Sequence, residues 1–224
     1  MKVLAVTLER CSGSALLIDD KIVFSSSEER YTRKKSDALF PKNSITAALN
    51  YTGTKPSDLD HIIICGNKLS LIPSILREYS TFSVNDQIRA MEEYWYPKLV
   101  LNQEKSFVEL FKDKINLETY PFNTEWGKKF DYFKLENPYS VDDETKVSEF
   151  FKTTLSSLLN VDKSIITHTE HDTCHAAYAL YGSPIREPNT LIVTADAWGD
   201  DLSATLSIFD GQKINRVKEY DHKK

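Results

Sequence analysis

VLAVTLERCSGSALLIDDKIVFSS, residues 3–26, reads as three strands in succession, Val3–Leu8, Ser14–Asp19 and Lys21–Ser26. Each is short and rich in Val, Ile and Leu, and the turn residues Cys11-Ser12-Gly13 and Asp19-Asp20 part them. A parallel crossover takes about a dozen residues or more, so separations this short admit only antiparallel pairing. Beyond the charged segment Glu28–Lys35, the apolar residues Ile45, Ala48 and Leu49 fall at helical spacing. They predict a helix over Lys42–Tyr51, stopped by Gly53. His61–Cys65, HIIIC, is the continuous apolar run expected of a strand covered on both faces. The resulting order is β-β-β-α-β.

Residues 191–214, LIVTADAWGDDLSATLSIFDGQKI, repeat the first stretch in register. Leu4-Ala5-Val6-Thr7 matches Leu191-Ile192-Val193-Thr194, and Ser14-Ala15-Leu16-Leu17 matches Ser203-Ala204-Thr205-Leu206. The strands expected here are Thr190–Ala195, Ser203–Phe209 and Lys213–Tyr220, and a polar loop follows the first strand of each copy, Glu9–Gly13 and Asp196–Leu202. Two such copies resemble the ribonuclease-H-like lobes of the actin, Hsp70 and sugar-kinase superfamily, an α/β fold whose paired loops hold phosphates across a cleft. On that resemblance residues 1–189 make the first lobe and residues 190–224 the first three strands of a second, incomplete one. An aromatic-rich helical insertion, about residues 69–160, interrupts the first lobe. It carries Tyr94, Trp95, Tyr96, Phe107, Phe111, Tyr120, Phe122, Trp126, Phe130, Tyr132 and Phe133, read as core and not as a ligand box. Its clearest helix has the stripe Val147, Phe150, Phe151, Thr154, Leu155, Leu158 and Leu159. After it, Ser164–Thr167 predicts a strand, and Glu170–Tyr181 a helix with Thr169 as N-cap and Gly182-Ser183-Pro184 as its end.

The composition fits a soluble globular protein. Its 28 basic and 33 acidic residues leave a net charge of −5, which disfavours non-specific nucleic-acid binding. No apolar run approaches the roughly 20 residues of a membrane span. Cys11, Cys65 and Cys174 form no CxxC pair and are too scattered for a disulfide framework, so a cytoplasmic location is the expectation.

Three clusters carry chemistry. His171 and His175 are four apart, so on a helix they share a face and reach one metal ion; the alternative is a pair flanking the helix start. Asp196 and Asp200 open the loop after a buried strand, where carboxylates bind metal, orient water or act as a base, or simply form a solvated turn. In Glu28–Lys35, Arg30 and Arg33 suit a phosphate or carboxylate, against the alternative of a solvated charged face.

Together these segments resemble the O-carbamoyltransferases of antibiotic and Nod-factor biosynthesis. SSSEERYTRKKSDALFPKNSITAAL is similar to their EERF-x-R-x-K…FP-x-x-A-I segment, EHDTCHAAYALYGSP to HHxxHAAxAxxxSP, and LIVTADAWGDDLSATL to DGxGD…T. The likeness runs over about residues 1–70 and 168–220. It implies a domain related to the tRNA threonylcarbamoyl transferase catalytic subunit. Such a domain receives a carbamoyl-adenylate, made from carbamoyl phosphate and ATP by a separate YrdC-like domain, and passes the carbamoyl group to a hydroxyl of a small-molecule acceptor. It further implies an iron or zinc ion on His171 and His175, with a carboxylate from outside this chain. Asp196 is then placed near the acceptor or metal as a catalytic residue with Asp200 beside it, and Ser14, Glu29, Arg30 and Arg33 bind substrate. The sequence departs from the family pattern at Cys11 and Ser12, where His-Asp is usual, at Asp172, the place of the second histidine, and at Ala197, the place of a glycine. Two further readings are a non-catalytic partner subunit in a homo- or hetero-oligomer and a tRNA-modifying protein.

Overall fold

A computed structural model describes residues 1–8, 11–37, 40–66, 83–111, 114 and 141–221. The chain divides into two compact units, Met1–Leu69 with Leu155–Lys224, and Ser70–Thr154. It is a mixed α/β protein with a five-stranded and a three-stranded sheet.

In the first unit, β1 (Lys2–Thr7), β2 (Gly13–Ile18) and β3 (Lys21–Ser27) form the antiparallel meander expected from the sequence. A short helix α1 (Glu29–Thr32) and the longer α2 (Lys42–Thr52) lead to β4 (His61–Cys65), which pairs parallel with β1. Gly53 ends α2 at φ 66°, a left-handed conformation that glycine adopts without a Cβ penalty. β5 (Ile166–Thr169) adds to β4 in parallel, giving the order β3-β2-β1-β4-β5.

Register places Leu4 between Leu16 and Ile62, and Val6 beside Ile64, so these side chains share one face. All five, with Ile45 and Ala48 of α2, are almost fully buried. Each of these Val, Leu and Ile side chains contributes about 1.5–3 kcal/mol by leaving water. The opposite face at the same strand ends carries small residues, Ala5, Thr7, Gly13, Ala15, Ser25 and Ser27, which with Cys11 and Cys65 line a shallow cleft of about 280 Å³. β4 is therefore fully covered on one face only: Ile62 and Ile64 are buried, Ile63 and Cys65 half-buried.

In the second unit, α3 (Val84–Arg89) runs through a π-helical segment (Ala90–Trp95) into α4 (Tyr96–Leu99), followed by α5 (Phe107–Phe111). Tyr94 and Phe111 are buried as expected of core, whereas Tyr96, also read as core, is more than half exposed. The aromatics from Tyr120 to Phe133 lie outside the described residues. α6 (Val141–Leu159), which passes from the second unit into the first at Leu155, buries Val147, Phe151, Leu155 and Leu159 at helical spacing.

Two boundaries differ from expectation. The Asp162 carboxylate accepts the Ser164 N–H at 2.7 Å and folds Lys163–Ile165 into a 3-10 turn, so β5 begins at Ile166 and not at Ser164. Thr169 consequently ends a strand, and the cap of α7 (His171–Tyr181) is Glu170.

The second sheet is β6 (Thr190–Gly199), β7 (Leu202–Phe209) and β8 (Ile214–Asp221), antiparallel throughout. β6 runs through most of the stretch expected to be loop. The connection is the two-residue turn Asp200-Asp201, at φ 50° and 69°, the handedness that suits the twist of a tight hairpin. Ala176 and Leu180 of α7 pack with Ile192 and Phe209 of this sheet.

Candidate metal centre

The pairing of β6 with β7 breaks where the chemistry lies. Between the pairs Ala195–Ala204 and Gly199–Leu202, β6 advances four residues and β7 two. This bulge lies beside Asp196, which reaches α7. Bulges of this kind re-aim side chains without ending the sheet.

α7 presents the partners. His171 Nε2 lies 2.7 Å from Asp196 Oδ2 and 2.9 Å from His175 Nε2, and His175 Nε2 lies 3.4 Å from the same carboxylate oxygen. The three residues thus offer one ligand atom each, all within 4.8 Å of one another. Tetrahedral ligand atoms around one ion at bonds of about 2.0–2.2 Å sit roughly 3.3–3.6 Å apart, so small side-chain shifts would bring these three atoms, now 2.7–3.4 Å apart, around an ion. Two imidazole nitrogens this close present lone pair to lone pair unless a proton or cation lies between them. His171 is the most covered of the three and His175, about half exposed, the least, so the centre opens towards His175.

The start of α7 is fixed from two sides. Asp200 Oδ2 accepts the His171 N–H at 2.7 Å, satisfying a backbone donor that the helix leaves unpaired, and its charge favours that helix end. Glu170 receives both terminal nitrogens of Arg216, on β8, and the Thr173 hydroxyl at 2.7 Å. The Arg216 guanidinium holds the Glu170 carboxyl below its ordinary range, and Glu170 raises Arg216 in return. Gly199 completes the seat: a Cβ built there would collide with the His171 ring.

Asp172 faces the other way. It is fully buried, and its Oδ1 accepts the Thr194 hydroxyl at 2.6 Å, which is itself 2.7 Å from the Thr205 hydroxyl. The residue in the place of the family's second histidine therefore ties α7 to the sheet and lies off the metal-facing side. His168 also stands apart, its Nδ1 2.9 Å from the Gly66 carbonyl oxygen. The influence of the Cys174 thiol holds Cys65 below its ordinary range, and that of Cys65, with burial, pushes Cys174 up.

The other expected site residues lie elsewhere in the first unit. Ser14 is buried, and its hydroxyl is 2.6 Å from that of Ser44, which donates to the Ser26 carbonyl. Glu29 accepts the Ser36 N–H at 2.9 Å and pairs with Arg30 at 3.7 Å; Arg30 and Arg33 are exposed. None of these hydrogen bonds and ion pairs reaches His171, His175 or Asp196. Glu28, read as one charge in a run, has a specific role: its carboxylate accepts the Asn43 and Ser44 N–H groups at 3.0 and 2.8 Å, capping α2. Cys11 is exposed at φ 66°, and Ser12 is buried, its N–H bonded to the Asp37 carbonyl.

Comparison with known proteins bears on this geometry. A family model described as carbamoyltransferase N-terminus matches residues 3–222. The uncharacterized protein sll1178 of Synechocystis is 34% identical over 104 residues, 44% of this chain and 17% of that protein. The uncharacterized protein MJ1051 of Methanocaldococcus jannaschii is 38% identical over 55 residues, 25% of this chain and 10% of that protein. The chain aligns to a small part of the length of either relative.

Proposed function

This chain belongs to the carbamoyltransferase family, matching its N-terminal part, and we propose that it forms the metal-holding lobe of an ATP-dependent O-carbamoyltransferase. In this reading a carbamoyl group passes from carbamoyl phosphate, by way of carbamoyl-adenylate, to a hydroxyl of a small-molecule acceptor. The observation that carries it is the convergence of His171, His175 and Asp196. Two imidazoles and a carboxylate suit a divalent ion such as Zn²⁺ or Fe²⁺. When bound, the ion supplies Lewis-acid polarisation of a carbamoyl or phosphate oxygen.

The chain's own residues do the rest. Asp196 meets the reacting region, while Asp200 acts through the His171 backbone and is a positioning residue. Arg30 and Arg33 present exposed guanidinium groups suited to a substrate phosphate, with Glu29 fixing the segment through Ser36. The strand order β3-β2-β1-β4-β5, followed by a second antiparallel meander, supports the ribonuclease-H-like arrangement. The YrdC-like activity and the remaining acceptor site belong to the rest of the protein.

A second reading, a non-catalytic partner lobe, has one observation in its favour. Leu191 and Val193 on β6 are each more than half exposed, a surface suited to association.

The test uses the whole protein with labelled carbamoyl phosphate, ATP and a panel of hydroxylated acceptors. Carbamoylated acceptor and AMP in equal amounts, abolished by His171→Ala, is the expected result. Neither product with any acceptor, in a protein shown to hold its metal, would favour the partner reading.

A further inference from the structure

The first turn of α7 is tied to the second sheet at several consecutive residues. The Asp172 carboxylate accepts the Thr194 hydroxyl of β6, while Glu170 and Thr173 both meet Arg216 of β8. Arg216 Nη1 donates to Glu170 Oε1 at 2.6 Å, Nη2 to Glu170 Oε2, and Nη2 also to the Thr173 hydroxyl oxygen at 3.2 Å. One planar fork therefore spans both carboxylate oxygens and fixes the plane of the carboxylate, which a lysine ammonium does not do. The pair is also shielded: the Glu170 and Arg216 side chains are 21% and 28% exposed. Fully exposed ion pairs contribute little and are screened by salt, whereas this one is partly withdrawn from both effects.

The shape of β8 aims that fork. Leu206 of β7 pairs with Lys218 and Ser207 with Arg216, so Val217 stands opposite no residue and the strand bulges there. In an unbroken strand residues three apart lie on opposite faces. Here Arg216 and Glu219 form an ion pair at 3.6 Å, and Lys218, paired to the other face, carries its ammonium over the Tyr220 ring at 4.9 Å. The bulge thus lies beside Arg216 where it meets α7, as the bulge in β6 lies beside Asp196.

We propose that Arg216 is a positioning residue of the metal centre, which holds the His171 ligand in place through Glu170 and Thr173. Glu170 caps α7 immediately before His171, and its carbonyl accepts the Cys174 N–H at 3.2 Å. The side chain and main chain of Glu170 are therefore both fixed, which leaves the His171 backbone little freedom to turn its ring away from Asp196. Without the fork the turn loosens and the three ligand atoms spread. The consequence for ion binding rests on the metal reading above, whereas the clamp on the helix start does not.

The metal-free chain is compared with Arg216→Ala and Arg216→Lys by amide hydrogen exchange read by NMR. In Arg216→Ala the Cys174 and His175 amides are expected to exchange about tenfold faster, with the Leu180 and Tyr181 amides unchanged. Arg216→Lys, which keeps the charge but not the fork, recovers only a small part of the protection. Unchanged exchange at the helix start, equal acceleration along all of α7, or full recovery in Arg216→Lys would overturn the proposal. A Zn²⁺ titration of the same three proteins supplies the second readout, with affinity about 10–100-fold weaker in Arg216→Ala. Faster exchange at the helix start with affinity unchanged overturns the coupling to the ion. Absence of Zn²⁺ binding in the unaltered chain is instead a failure of the metal reading, and the exchange map still decides the clamp.

Discussion

At the residue scale, the site depends on side chains that hold His171 as much as on the ligands themselves. Replacing Gly199 by alanine puts a methyl group into the imidazole ring's place, so the ring must move or the bulge must open. Zn²⁺ affinity of Gly199→Ala is expected to fall by about 10–100-fold, the usual cost of disturbing a ligand's support. A competition titration against a chromophoric chelator measures it. Asp200→Ala removes the acceptor of the His171 N–H and should cost about 1 kcal/mol of stability, as other N-cap losses do, along with metal affinity. Urea denaturation of the metal-free protein separates the two effects. Asp200→Asn, which keeps an acceptor oxygen, should recover most of the stability. The histidine pair was legible in the sequence because i,i+4 spacing is a local property of a helix. Asp196 was placed near the acceptor or metal only through the family resemblance, since the bulge in β6 that brings it beside the pair has no local signal. Nor was Asp200 legible as a cap: it lies 29 residues from the N–H it accepts.

At the element scale, α2 and α7 both take their N-terminal caps from distant carboxylates. Glu28 serves α2 from 16 residues before Ser44, and its removal strands two helix N–H groups, that of Ser44 in a buried position. Glu28→Ala should therefore destabilise the fold by about 1–3 kcal/mol in urea denaturation, with Glu28→Gln less affected. Were the segment only a solvated charged face, both changes would be near neutral. For α7, the Glu170–Arg216 pair gives a pH signature. Arg216 depresses the Glu170 carboxyl in the folded state, so the stabilisation is full above the unfolded value of about 4.3 and is lost as pH falls through the lower folded value. Melting temperature should thus drop less between about pH 5 and pH 3 in Arg216→Ala than in the unaltered protein, and equal slopes would count against the clamp. The meander β1-β2-β3, the helix α2, β4 and the repeat in β6-β7-β8 were all legible, since apolar period and turn residues fix them locally. The start of β5 and the tight Asp200-Asp201 turn were not: one depends on an Asp162 cap, the other on cross-strand pairing that carries β6 through its polar residues.

At the scale of the whole molecule, the metal reading joins family membership to the close approach of His171, His175 and Asp196. The sequence led to the expectation that the carboxylate would come from outside the chain, yet Asp196 already stands 2.7 Å from His171. Asp172, a departure from the family pattern, ties α7 to the second sheet through Thr194 and so supports the site from behind. A folded chain that holds an ion its unfolded form does not is stabilised by binding, by about 2.7 kcal/mol at free ion one hundred times the dissociation constant. The direct measurement is a Zn²⁺ titration of the chain and of His171→Ala, His175→Ala and Asp196→Ala, with metal bound per chain read at saturation. One equivalent in the unaltered chain, lost or at least tenfold weakened in every variant, is the predicted result; no binding, or binding that survives all three replacements, would contradict the account.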